Sequence, residues 1–345
     1  MSQVSPQPNR KSMGLKARLL AHVEIWRLDL FSYAGLVGVA GALLATDDPA
    51  LWRVIGAWLA PTMGWLAAMY GGDFFDRDLD ATAKPQRPVP SGRVSARSAF
   101  AGMVLCVLLG LVIAAVLNPL NVLVVFITLG LGVSYNAYLK GKGVFGNITR
   151  GGVTAMAFVT GTLATHSSLQ AELLPIALIF WMHDSGSNVV GAICDREGDR
   201  EGGCRTFPVR HGDGASLLLM LAFGASWVGL ALGYAPTLER VSSLAYGAFL
   251  TIAIVMAVIS AAMLIRSPRP IPRLTGLRAH ELLVIERLVL TSALVATATS
   301  VLVGILLFLP SAAAAIVASL AIMRRSYQPD RKGWRKKAAG HSRVL

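Results

Sequence analysis

Nine apolar segments, at roughly 28–46, 51–70, 98–117, 120–138, 146–165, 173–193, 215–233, 242–265 and 284–308, leave this chain few folds to choose from. Each has close to the ~20 residues that carry a helix across a bilayer. In hydrocarbon the backbone must satisfy its own hydrogen bonds, so repeated spans of this length predict helices packed into a bundle. A tenth segment, 311–323, follows Pro310 and is short for a full crossing. The expected fold is an all-α polytopic membrane bundle of nine to ten crossings in the lipid bilayer. A composition 54% hydrophobic, with mean hydropathy +0.58, fits that class and not a soluble domain. One membrane domain is expected over 21–325, between a basic N-terminal tail (1–20) and a disordered basic C-terminal tail (326–345).

Charge in the loops predicts orientation. Arg77, Lys84, Arg87, Arg93 and Arg97 separate the second and third segments, and Lys140 and Lys142 separate the fourth and fifth. Arg196, Arg200, Arg205 and Arg210 follow the sixth, and Arg266, Arg269, Arg273 and Arg278 follow the eighth. The alternate loops carry few cations. The basic loops, and with them the N-terminus, are therefore expected on the cytoplasmic side of the cell (inner) membrane. The net charge of +13 belongs to that pattern, and no nucleic-acid partner is expected. The three cysteines, Cys106, Cys194 and Cys204, make no disulfide framework and no zinc spacing.

Two of the basic loops open with closely spaced carboxylates. DFFDRDLDATAKPQRPVPSG runs from Asp73 to Gly92, with Asp76 and Asp80 four apart. CDREGDREGGCRTFPVRHG runs from Cys194 to Gly212 and repeats that separation at Asp195 and Asp199. On a helix this spacing brings two carboxylates to one face, where they repel unless a cation lies between them. Mg²⁺ suits such oxygen donors and shares its shell with phosphate, and the nearby Lys and Arg suit the remaining phosphate oxygens. Taken singly, either run could be a solvated loop; the duplication favours two metal-bearing ends gripping one diphosphate. The motifs follow the second and sixth segments, which suggests two pseudo-repeated four-helix halves. Inside the sixth segment, His183, Asp184 and Asn188 are polar at membrane depth. Asp184, Asn188, Asp195 and Asp199 share one helical face, so a polar stripe is expected to run from the second motif into a cavity. The other reading is that His183 and Asp184 pair with each other or with a neighbouring helix; His183 as a base is a further option.

These residues resemble the UbiA superfamily of intramembrane prenyltransferases over about 20–308. The first signature is matched by Gly72-Asp73-Phe-Phe-Asp76-Arg-Asp-Leu-Asp80 and then Arg87-Pro88-Val-Pro90-Ser91-Gly92. The middle one is matched by Tyr135-Asn136-Ala-Tyr-Leu139-Lys140 and Gly146-Asn147, the last by Asp195, Gly198, Asp199, Gly203, Thr206, Pro208 and Val209. The resemblance implies Mg²⁺-dependent transfer of a polyprenyl group from its diphosphate to a small hydrophobic, often aromatic, acceptor. It implies Asp76, Asp80, Asp195 and Asp199 as catalytic metal ligands, with Asp73 able to join them. Arg87, Lys140 and Arg205 would meet the diphosphate, and Asn147 is a further substrate-binding candidate. Independently of the resemblance, the polar stripe of His183, Asp184 and Asn188 is expected to contact the acceptor, with Asp184 and Asn188 as the residues that bind it. Gly72 stands where the family usually has Asn, and Ala192 where it often has another Asp. The alternative is a terpene cyclase on the same scaffold, which would need no acceptor; a transporter using the carboxylates as ion sites would leave the basic tails unexplained.

Overall fold

The computed structural model describes residues 14–28, 31–241 and 244–326. They form α1 (Leu15–Trp26), α2 (Phe31–Ala45), α3 (Leu51–Phe75), α4 (Arg77–Ala83), α5 (Ala96–Leu117), α6 (Pro119–Ser134) and α7 (Val144–Thr165). Then follow α8 (Leu174–Glu201), α9 (Phe207–Gly233), α10 (Leu244–Ile265), α11 (Arg273–Ala298) and α12 (Val301–Ser326). No strand occurs among the described residues. Local sequence sets the corners. The Ser95 side chain accepts from the Ser98 amide at 3.0 Å to start α5. Asn118 caps α6 through the Leu120 amide at 2.9 Å, ahead of Pro119 at the first helical position. Asn118 also donates to the Leu163 carbonyl at 3.1 Å, which ties this corner to the end of α7.

α2, α3, α5 and α6 make one half and α7 to α10 the other. In each, the second helix packs against the first and the third and carries the acidic motif at its end. The halves meet where α2 crosses α7. A Cβ on Gly161 would overlap the Gly38 carbonyl, and one on Gly41 the Phe158 carbonyl, so the backbones touch only because these positions are glycine. α11 closes the bundle against α2, α8 and α10, and α12 lies on α11. Buried Phe158, Phe180, Leu290 and Leu294 form part of the core between these central helices.

Peripheral helices turn apolar side chains outward. Leu105, Leu108, Val112 and Val116 of α5 are exposed, as are Ile252, Val255 and Val258 of α10. Water would penalise so large an apolar surface, whereas lipid chains suit it. By length and composition alone, α5, α10 and α9 extended to Thr237 suffice to cross a membrane. The other long helices carry polar residues.

The structure redraws the ninth and tenth segments. The expected span 284–308 is split: α11 ends at Ala298, and α12 runs from Val301 to Ser326 with Pro310 inside it. The polar step Thr297-Ala-Thr299-Ser300 explains the split. Thr299 leaves helical geometry (φ −135°, ψ −88°), and its hydroxyl donates to the Val295 carbonyl at 2.7 Å. Within α12 the Ser311 hydroxyl donates to the Leu307 carbonyl at 3.0 Å, beside the donor that Pro310 lacks. Helix α1 begins at Leu15, inside the stretch expected as tail. The expected disordered tail lies outside the described residues beyond Ser326.

Candidate active site

The first motif straddles a helix break. α3 stops at Phe75, Asp76 bends the chain (φ −84°, ψ 5°), and α4 carries Asp80. The Asp80 amide still donates to the Asp76 carbonyl at 2.7 Å, so one helical turn separates the two carboxylates despite the bend. Downstream, the segment rich in proline folds back on itself. Backbone bonds from Ser91 to Arg87 (3.0 Å) and from Val94 to Pro88 (2.9 Å) close it, with Gly92 at φ +74°. α1 clamps this turn: Arg93 donates to both carboxylate oxygens of Glu24, at 2.6 and 3.0 Å. Arg87 is thereby aimed at Asp80, to which it donates.

The second motif needs no such bracing. Asp195 and Asp199 ride on α8, unbroken from Leu174 to Glu201. Between the motifs, the chain after α6 forms a single π-helical turn, Tyr135–Leu139, that delivers Lys140.

Asp76, Asp80, Asp195 and Asp199 line one cavity of about 530 Å³. Its cations cross between elements. Lys84 Nζ lies 3.1 Å from Asp195 Oδ2, joining the two motifs, and Lys140 Nζ lies 3.3 Å from Asp76 Oδ2. Thr206 Oγ1 donates to Asp199 Oδ2 at 3.2 Å. Asp195 and Asp199 lie beyond the apolar span 173–193, and their environments differ. Burial alone would raise Asp195, but Lys84, Arg273 and Arg87 outweigh it and hold its carboxyl below the usual range. Burial raises Asp199, helped by the Asp195 charge and only partly offset by Lys140. Burial would lower the Lys140 ammonium, but Asp76, Tyr135 and Asp199 more than reverse that and hold it well above its ordinary value.

Asp184 and Asn188 line the same cavity, on the face of α8 that carries the motif. Asn147 of α7 also lines it and donates to Asn188 Oδ1 at 2.9 Å. Three residues stand elsewhere. Asp73 is buried outside the cavity lining, with Arg27 and Arg87 each 3.8 Å from its Oδ1 and no hydrogen-bond partner on Oδ2 among the described residues. Arg205 is exposed and also outside the lining. His183 is buried against Glu286 of α11 and Trp227 of α9 and is outside the cavity lining. Its partner is thus a neighbouring helix and not Asp184. Sequence reasoning passed over Arg27, Arg150, Arg273, His280 and Arg287, which line the cavity. Arg150 and Arg287 lie in apolar segments, so the rule that singled out Asp184 would have found them.

The donor set suits Mg²⁺. It is all oxygen, in two carboxylate pairs brought from opposite halves. Among the described residues no three His, Cys, Asp or Glu side chains form a ready-made metal group. Mg²⁺ is ordinarily held by one or two carboxylates completed by water and substrate phosphate, so such a site needs no full protein cage. Gly72 faces the cavity with open space where a Cβ would stand, which leaves room there for water or phosphate oxygen.

Known proteins are similar in sequence and in fold. The family model for the UbiA prenyltransferase family matches residues 34–275. A digeranylgeranylglyceryl phosphate synthase of Ignicoccus hospitalis is 29% identical over 264 residues, covering 75% of this chain and 86% of its own. One of Pyrococcus horikoshii is 30% identical over 226 residues, covering 63% and 81%. In structure, the apo UbiA homolog of Aeropyrum pernix K1 superposes with TM-score 0.66 at 19% identity, covering 77% of this chain and 96% of that one. A UbiA homolog of Archaeoglobus fulgidus bound to GPP and Mg²⁺ gives 0.62 at 17%, covering 81% and 99%. With a match across most of its length and both acidic motifs turned into one cavity, the chain belongs to the UbiA prenyltransferase family.

Proposed function

We propose that this protein transfers a polyprenyl group from its diphosphate to an acceptor of glycerophosphate type, with Mg²⁺, at a site opening to the cytoplasmic face of the cell membrane. One observation carries the reading: a single cavity is lined by both carboxylate pairs, with Lys84, Arg87 and Lys140 between them. Prenyl diphosphate and Mg²⁺ are bound by the Archaeoglobus fulgidus homolog, and a glyceryl phosphate appears in the names of the relatives. The acceptor expected from resemblance alone was hydrophobic and aromatic; these names favour a phosphorylated one. The basic loops beside both motifs support the cytoplasmic opening.

Asp76, Asp80, Asp195 and Asp199 would hold the metal, which when bound neutralises the diphosphate as a leaving group. Lys84, Arg87 and Lys140 would exchange their carboxylates for phosphate oxygens and stabilise charge growing on the departing group. The allylic C–O bond breaks and the acceptor oxygen forms the new bond to that carbon. Its proton leaves to diphosphate or solvent. Trp65, Met69 and Ala192 on the cavity wall would keep water from the cationic carbon.

The test is a matrix of prenyl diphosphates against glyceryl phosphates, aromatic acids and no acceptor, with Mg²⁺ or excess chelator. Transfer that needs both Mg²⁺ and a glyceryl phosphate is expected. Efficient cyclisation without any acceptor would replace the reading with a terpene cyclase, and full turnover in chelator would remove the metal.

A further inference from the structure

Away from the acidic motifs the cavity has a second charged centre. Asp184 is bound on both sides: Arg150 Nη1 lies 3.2 Å from Oδ2, and Arg287 Nη1 lies 3.3 Å from Oδ1. Thr154 Oγ1 donates to Oδ2 at 2.5 Å. Two guanidinium groups thus share one carboxylate, and all three residues line the cavity. Glu286 lies next in sequence to Arg287, but it is bonded to His183 and does not reach the cavity. His280 and Arg273 lie on the same wall and add no negative charge.

Arg287 is 3% exposed, and its Nε has no hydrogen-bond partner among the described residues. Its guanidinium lies 4.8 Å from the centre of the Tyr33 ring, whose hydroxyl is also buried without a partner. Arg150 stands 5.6 Å over Trp65. Burying a cation with an unused donor is costly. The two guanidinium groups also exceed the single charge of Asp184, so this part of the cavity wall carries a net positive charge that an anion would balance.

We infer that Arg150 and Arg287, held by Asp184, form the subsite for an anionic oxygen headgroup on the acceptor, a phosphate in preference to a neutral hydroxyl compound. This rests on the transferase reading above. Position supports it. Asp184 precedes Asp195 by eleven residues on α8, about 16 Å along the axis. That length accommodates the diphosphate, a near-attack gap of about 3 Å and a headgroup only a few bonds long. The acceptor nucleophile would then face the allylic carbon while its phosphate is gripped behind. Asp184 is a positioning residue here, since it fixes both guanidinium planes.

The experiment compares a phosphorylated acceptor with its dephosphorylated alcohol, using full-length protein in nanodiscs. The readout is the ratio of their kcat/KM values in wild type, Arg150→Gln, Arg287→Gln and Arg287→Lys. A ratio of internal competitors is insensitive to partial loss of folded protein. The wild type should prefer the phosphorylated acceptor. Each Gln variant should cut that preference about ten- to a hundredfold, the range for losing a charged hydrogen bond, and Lys should recover part of it. The dissociation constant for the phosphorylated acceptor, measured by calorimetry without prenyl diphosphate, should rise in step. A wild type that transfers equally well to both acceptors, or an unchanged ratio and affinity in either Gln variant, overturns this subsite and leaves the transferase reading standing. A wild type that transfers to no acceptor overturns both.

Discussion

The two acidic motifs share a spacing but are built in opposite ways. Asp195 and Asp199 sit on a helix of 28 residues whose position is fixed by α7, α9 and α11. Asp76 sits at a bend and Asp80 on the short helix beyond it, and the turn that follows is held by a clamp from α1. A continuous helix packed on three sides is expected to act as a rigid wall, and the broken segment as the more adjustable one. Lys84 bridges them, leaving the adjustable side and ending on Asp195. A substrate that must enter between two charged walls needs at least one that gives way, and the bent side is the one with a break in its backbone.

Mutation should separate the two motifs. Asp195→Ala removes a proposed metal ligand from the wall expected to be rigid, where no neighbour is expected to move in and replace it. We expect loss of about 10³-fold in transfer, the upper range for deleting one electrostatic stabiliser of a transition state. Asp76→Ala should cost less, about 10²-fold, because the bent segment can shift a neighbour inward. Steady-state rates at saturating Mg²⁺ decide this, and equal losses would erase the distinction between the walls.

Gly72→Asn acts on the first motif alone. The site has open space for the new side chain, so the fold should tolerate it. It would add an oxygen donor on the adjustable side. The Mg²⁺ concentration for half-maximal rate should fall by about three- to tenfold, as one extra ligand predicts, and a Mg²⁺ titration measures it. A rise would mean that the open space is already used by substrate oxygen.

The smallest effect concerns the clamp. Glu24→Ala leaves every cavity residue in place but frees Arg93 from α1. Partly exposed ion pairs contribute about 1 kcal/mol or less, so stability should change little. Protease sensitivity of the 84–94 turn should rise, together with the KM for prenyl diphosphate. A melting curve and limited proteolysis separate this from general unfolding.

Much of this was legible in the sequence because helical periodicity is arithmetic. The four-residue spacings placed Asp76 near Asp80 and Asp195 near Asp199, and the stripe from Asp184 through Asn188 followed from the same count. What was not legible depends on neighbours distant along the chain. Asp73 was a candidate ligand, yet its side chain is buried against Arg27 and Arg87, outside the cavity lining. Arg205 looked like a phosphate contact from its motif, but its side chain is exposed. Arg150 and Arg287 are 137 positions apart, and only the packing of α7 and α11 against α8 brings both to Asp184.

The glycine crossing between α2 and α7 has a consequence for how the chain is made. Gly38 and Gly161 are separated by 123 residues. At about 5–20 residues per second, the ribosome completes α2 roughly 6–25 s before its partner exists. During that interval the smooth face of α2 has lipid or the insertion machinery for company, and the first half must remain loose enough to admit α7. A nascent chain stalled before residue 144 should therefore leave a cysteine placed at Ala42, which is buried beside Thr165 of α7, open to lipid-phase labelling, and one released after residue 165 should protect it.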